Sequence, residues 1–128
     1  MINLTNFKIL SNLYICPTPI GNLQDISARV LDTLETVDVI YCEDTRRARK
    51  LVENFSITTP LKSYFVGNEK IKIAEIEKAL TNGKNVALIS DAGTPLISDP
   101  GNDLIRHLII NNFNIISIPG PVSYTHLT

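Results

Sequence analysis

This sequence predicts an α/β fold: an open, mostly parallel five-stranded sheet with helices on both faces. Two observations predict it. Short apolar runs alternate along the chain with segments of helical periodicity, and such alternation builds a parallel sheet covered on both sides. Three of the runs are followed by Gly- and Pro-rich segments. That places the segments beyond the carboxyl ends of strands, where open α/β sheets bind ligands.

The elements follow in order. Leu13 to Cys16 is the first strand, and PTPIGN turns the chain after it. A helix then starts near Asp25 as N-cap, with Ile26, Val30, Leu34 and Val37 at helical spacing. Val39 to Cys42 is the second strand. Ala48, Leu51, Val52 and Phe55 mark the next helix, and Leu61 to Val66 is a weaker strand candidate. Ile73, Ile76 and Leu80 mark a third helix, with Gly83 placed to cap its end. Val86 to Ser90 is the strongest strand, and DAGTPLISDPG follows it. Asp99-Pro100 reads as N-cap and first helical residue, with Leu104, Ile105, Leu108 and Ile109 inward and Asn111 and Asn112 at the end. Ile115 to Ile118 is the last strand, running into PGP.

Length and composition bound the function. The 128 residues suffice for one modest domain. A hydrophobic share of 44% with 20% charged residues excludes a disordered or fibrous chain. The net charge of −1 gives the whole chain no nucleic-acid footprint. Any RNA contact therefore needs a local patch or protein outside this sequence. Cys16 and Cys42 each end an apolar run, where buried thiols are common. Their spacing, with His107 and His126, predicts no metal site. Reduced thiols make the cytoplasm the default location. No run reaches the roughly 18 apolar residues of a membrane span. Residues 1–12 lack the apolar core of a signal peptide and read as a loose lead-in.

The Gly- and Pro-rich loops carry the candidate chemistry. Glycine lets backbone approach a ligand, and proline lowers the ordering cost of a binding loop. The plainer alternative is that these residues simply turn the chain. Two nucleotide motifs are absent. No G-x-G-x-x-G follows the first strand and no G-x-x-x-x-G-K-[ST] occurs, which disfavours a dinucleotide fold and a phosphate-cradling loop.

Four segments together carry a resemblance: LYICPTPIGNLQDIS (13–27), CEDTRR (42–47), LISDAGTPLISDPG (88–101) and IPGP (118–121). In order and spacing they resemble the ribosomal RNA small-subunit methyltransferase I family of the tetrapyrrole methylase superfamily. The resemblance implies an S-adenosylmethionine-dependent enzyme that 2′-O-methylates a ribose in small-subunit (16S) ribosomal RNA. It implies cofactor contacts at Pro19, Ile20 and Gly21, at Ala92, Gly93, Thr94, Pro95 and Ile97, and at Gly120 and Pro121. It also implies a two-domain fold with the cofactor between the domains, and it allows a homodimer. Residues 13–121 then correspond to the first domain, and the second domain is absent from this sequence. Val122 and Ser123 fit the family's continuation, whereas Tyr124 to Thr128 do not. The expectation is a truncated fragment whose last residues, within 122–128, form a non-native tail, and which does not catalyse methyl transfer by itself.

Glu43 and Asp44 close the second strand beside the expected cleft. A ribose hydroxyl needs a proton acceptor before it attacks carbon, so either carboxylate is a candidate general base. Alternatively, Asp44 caps the following helix and Glu43 pairs with an arginine. Asp91 and Asp99 flank the signature loop, Asp99 as a helix cap. Arg46 and Arg47, followed by Arg49 and Lys50, are candidate RNA contacts, because cations in a first helical turn oppose the helix dipole and a phosphate backbone would offset that. The alternative is a solvated helix face. Tyr14, Tyr41, Tyr64 and Phe65 read as core rather than as a stacking surface. Two rival functions remain: a tetrapyrrole C-methyltransferase of the same superfamily, and a non-catalytic ligand-binding or dimerisation module.

Overall fold

The computed structural model describes residues 11–19, 21–64, 67–91 and 101–119. Five parallel strands form one sheet: β1 (Asn12–Thr18), β2 (Val39–Cys42), β3 (Leu61–Ser63), β4 (Val86–Asp91) and β5 (Asn114–Ser117). The helices are α1 (Ala28–Thr36), α2 (Thr45–Asn54), α3 (Glu69–Thr81) and α4 (Gly101–Ile110), with a 3-10 turn at Leu23–Asp25. Strand order across the sheet is β3-β2-β4-β1-β5. The register pairs Thr18 with Asp91, Tyr41 with Leu88, Cys42 with Ser63, and Ile15 with Ser117.

Side chains alternate between faces along each strand, as the pleat requires. Cys16, Ile40 and Ala87 join Val30, Leu34, Leu51 and Val52 in one core, under α1 and α2. Leu13, Tyr41, Val86 and Leu88 join Ile76, Leu80, Leu104 and Leu108 in the other, under α3 and α4. The helices therefore cover both faces, as the alternation predicts. Tyr41 and Tyr64 are buried core residues and Tyr14 is half-buried; Phe65 lies outside the described residues.

Three helices stop by the same device. After α3, the Gly83 amide donates to the Leu80 carbonyl and the Lys84 amide to that of Ala79, both at 3.0 Å, with Gly83 at φ +83°. This left-handed turn satisfies carbonyls the helix leaves unpaired. Ser56 after α2 and Asn112 after α4 do the same at φ 56° and 65°. At these two positions a side chain tolerates a conformation that glycine adopts more easily.

Some boundaries differ from the sequence expectation. Ser27 caps α1, not Asp25: the Ser27 hydroxyl accepts from the Val30 amide at 3.2 Å. Asp25 is taken up in the preceding 3-10 turn, which Asn22 caps by accepting from the Gln24 amide at 2.9 Å. Ile109 does not point inward but is 60% exposed. The face of α4 that meets the core is the Leu104–Leu108 row, and the Ile105–Ile109 row lies next round the helix. The weak third strand is short, covering Leu61–Ser63. Residues 99 and 100, proposed to start α4, lie outside the described residues.

Candidate functional site

Because all five strands are parallel, their carboxyl ends lie on one edge. β1 connects onward through α1 on one face, and its neighbour β4 is followed by α4 on the other. A crevice opens where adjacent strands part in this way. A recess of about 70 Å³ occupies that place, lined by Thr18, Pro19, Leu23, Cys42, Glu43, Asp44, Arg47 and Ile89 among others. Small-molecule pockets run to roughly 300–1,000 Å³, so the recess lined by the described residues is smaller than such a pocket.

Side-chain bonds to main-chain carbonyls hold the rim together. The Thr18 hydroxyl donates to the Ser90 carbonyl at 3.3 Å, joining the ends of β1 and β4. Ser27 donates to the Pro119 carbonyl at 3.5 Å, joining the start of α1 to the segment after β5. The Arg47 Nη2 donates to the Pro19 carbonyl at 3.3 Å, joining α2 to the β1 loop. Asp44 caps α2: its Oδ1 accepts from the Arg46 amide at 3.0 Å and the Arg47 amide at 3.2 Å. Acceptors there satisfy amides that the first turn leaves free.

Glu43 is exposed at the mouth of the recess, and among the described residues it has no hydrogen-bond or ion-pair partner. The alternative in which it pairs with an arginine is therefore not what the structure shows. Burial pushes the Cys42 thiol up to about 11, with the Asp44 charge adding and Arg49 opposing. Burial alone pushes Cys16 up to about 12. Both thiols stay protonated at neutral pH and are poor nucleophiles. Among the described residues no group of three or more His, Cys, Asp and Glu side chains is placed to hold a metal ion. No helix among them is long and apolar enough to cross a membrane.

Of the residues singled out in the sequence, Pro19, Glu43, Asp44 and Arg47 meet around the recess. Gly21 and Arg46 are exposed nearby in the chain, on the β1 loop and on the first turn of α2. A Cβ at Gly21 would meet nothing within 4 Å, so nothing in the described chain itself demands glycine there. Ile20, Ala92, Gly93, Thr94, Pro95, Ile97, Gly120 and Pro121 lie outside the described residues. Thr18, Leu23, Ser27 and Ser90 were missed. Thr18 ends β1 inside the PTPIGN segment and Ser90 ends the strand the sequence predicts, and a polar residue at the end of a strand was the available signal.

A doubly wound parallel sheet with a recess at the carboxyl ends of β1, β2 and β4 is the architecture in which α/β domains place their ligand sites. Residues 12–127 match the family model of the tetrapyrrole (corrin/porphyrin) methylases, and the chain belongs to that family. It is 49% identical over 108 residues to the ribosomal RNA small subunit methyltransferase I of Synechocystis sp., covering 84% of this chain and 39% of that protein. It is 47% identical over 116 residues to the protein of that name from Mycoplasmopsis pulmonis, covering 91% and 52%. The chain thus spans about half the length, or less, of these curated relatives. Among solved structures it resembles a cobalt precorrin-4 methyltransferase, with a TM-score of 0.72 at 18% identity over 94% of this chain and 48% of that one. It also resembles the uroporphyrin-III C-methyltransferase of Thermus thermophilus, with a TM-score of 0.67 at 18% identity over 91% and 52%. At that identity the likeness is one of fold.

Proposed function

We propose that this chain supplies the cofactor-binding domain, residues 13–121, of an S-adenosylmethionine-dependent methyltransferase acting on a ribose 2′-hydroxyl in small-subunit ribosomal RNA. One observation carries the reading: the recess at the sheet's switch point lies in a chain 42–49% identical to proteins named for methylating that RNA. Methyltransferases of this family use S-adenosylmethionine. The residues present fit such a ligand. The β1 loop leaves open space at Gly21, and the rim offers apolar wall at Leu23 and Ile89 beside polar groups.

When bound, the cofactor supplies an electrophilic methyl group on a sulfonium. The loops at Pro19 to Gly21, Ala92 to Ile97 (Ala92, Gly93, Thr94, Pro95 and Ile97) and Gly120-Pro121 hold it in this reading. Glu43, exposed and unpartnered among the described residues at the recess mouth, would accept the proton that the ribose hydroxyl gives up on methylation. Asp44 acts beside it mainly by fixing the first turn of α2. Arg46 is exposed on that turn, with Arg49 and Lys50 further along the helix. They meet the RNA backbone, whose affinity then depends on salt. A cytoplasmic location follows from the substrate, and a homodimer is compatible with it.

The test is methyl transfer by the native full-length protein. Labelled cofactor and small ribosomal subunits from a strain lacking the gene should give label in RNA, at a position resistant to alkaline hydrolysis. Label on a tetrapyrrole but none in RNA would overturn the reading.

A further inference from the structure

Arg47 was a candidate RNA contact by sequence, yet its side chain turns toward the sheet rim. We propose that Arg47 is a positioning residue, which fixes the β1 loop against α2 and so sets cofactor affinity rather than RNA affinity. The inference rests on the proposed function for its ligand, but not for its geometry.

Three observations carry it. First, the backbone of Arg47 is held: its amide donates to Asp44 Oδ1 at 3.2 Å, within the cap of α2. A capped first turn gives the side chain a fixed origin. Second, the guanidinium donates to the Pro19 carbonyl at 3.3 Å, across 28 residues of sequence. Pro19 is buried and lies two residues before Gly21, where a Cβ would meet nothing. Its ring fixes φ, so a grip on its carbonyl sets where the next residues lead. Third, the preceding residue is gripped from the other side, by the Thr18 hydroxyl on the Ser90 carbonyl. The β1 loop thus leaves the sheet between two clamps, one on β4 and one on α2. Arg46 is the contrast: both arginines are exposed, but among the described residues the Arg46 side chain has no partner.

The chemistry explains why arginine stands there. A cation in a first turn opposes the helix dipole, and a carbonyl acceptor beside Glu43 and Asp44 offsets that. Lysine carries the same charge, but its ammonium sits one bond nearer the backbone than Nη2 and therefore reaches the Pro19 carbonyl less well. Charge and geometry can therefore be separated.

The experiment compares Arg47→Gln, Arg47→Lys and Arg46→Gln in the native full-length protein. The first arm needs no ligand. Hydrogen exchange is followed at the amides of Gln24, Asp25 and Ile26, which are bonded within the loop. Both Arg47 variants should exchange faster there, and Arg46→Gln should match the wild type. The second arm measures S-adenosylmethionine affinity and the salt slope of RNA binding. Both Arg47 variants should bind cofactor roughly five- to tenfold more weakly, the scale of one charge-assisted hydrogen bond at a part-exposed site. Arg47→Lys should keep the wild-type salt slope, while Arg46→Gln should lower it and leave cofactor affinity unchanged. Unchanged exchange in both Arg47 variants overturns the proposal, as does unchanged cofactor affinity with a reduced salt slope. A wild-type protein that binds no cofactor would sink the proposed function, and the exchange arm would still decide the clamp.

Discussion

The two faces of the sheet use their polar side chains differently. On the α1/α2 face most bonds between elements run from side chains to main-chain carbonyls: Thr18 to Ser90, Ser27 to Pro119, Arg47 to Pro19, and Thr59 to Leu34. On the α3/α4 face many run between side chains. Tyr41, Lys62 and Lys72 all converge on Glu75, Lys72 also lies 5.9 Å from the Tyr41 ring centroid, and His107 meets Glu77 at 2.8 Å. A bond to a carbonyl fixes the path of a loop. A bond between side chains fixes how a helix sits on its neighbour. The first face is built to place the rim of a site, and the second to hold the scaffold beneath it.

The largest expected effect is on the scaffold. Leu104 is fully buried under α4. Leu104→Ala should lower unfolding stability by about 2–5 kcal/mol, the transfer and cavity terms together, and leave cofactor affinity of the folded protein unchanged. Urea denaturation and calorimetry check both halves. A matching loss of affinity would break the division between faces.

Asp44→Ala comes next. Losing the α2 cap should lower stability by about 1 kcal/mol, with Asp44→Asn close to wild type. Because Arg47 sits on the same turn, cofactor affinity should fall as well, which Leu104→Ala does not do. Equal stability of the alanine and wild-type proteins would show that the cap does not matter.

Glu75→Gln should cost stability by roughly 1 kcal/mol or less, since the site is part-exposed. Burial raises the Glu75 carboxyl, but hydrogen bonds from Tyr41 and Lys62 and the charges of Lys72 and Lys62 outweigh it, so its pKa lies below the usual value. A lowered carboxyl pKa stabilises the fold above the ordinary carboxylate range and loses that effect as pH falls through the folded-state pKa. The gap between wild type and Glu75→Gln should thus be full at neutral pH and close in acid. A gap that widens in acid would reverse the sign of the coupling.

The smallest stability effect is expected at Gly21. An alanine Cβ meets no atom within 4 Å there, so Gly21→Ala should stay within about 0.5 kcal/mol of wild type. Its affinity for the cofactor should nevertheless drop, measured by calorimetry. Unchanged affinity would remove Gly21 from the proposed contact surface.

Much of the fold was legible because local signals and burial agree. Val39–Cys42 is a strand both in pattern and in structure, and Gly83 ends α3 where only a left-handed residue closes the turn. Where two local signals competed, tertiary structure decided. Asp25 and Ser27 are both good caps two residues apart, and the 3-10 turn took the first. Ile109 repeats the spacing of Ile105, but the pattern does not say which row of α4 faces the core. The site was half legible. Glu43 and Asp44 stood out as acids at a strand end, and the cap role of Asp44 followed from residue type. The orientation of Arg47 depends on a carbonyl 28 residues away, and no local pattern encodes that. Thr18 and Ser90 are likewise joined only by the β1–β4 pairing.

The central claim is that cofactor binds at the rim of the α1/α2 face and not elsewhere on the molecule. The direct measurement is a backbone amide shift map of this 14.2 kDa chain during titration with S-adenosylhomocysteine, the demethylated form of the cofactor. Shifts should concentrate in residues 18–23, 42–47 and 89–91. The amides around Ile71, His107 and Ile110 on the α3/α4 side should stay in place. Shifts centred on that second group, or none at any concentration reached with the native full-length protein, would contradict the account.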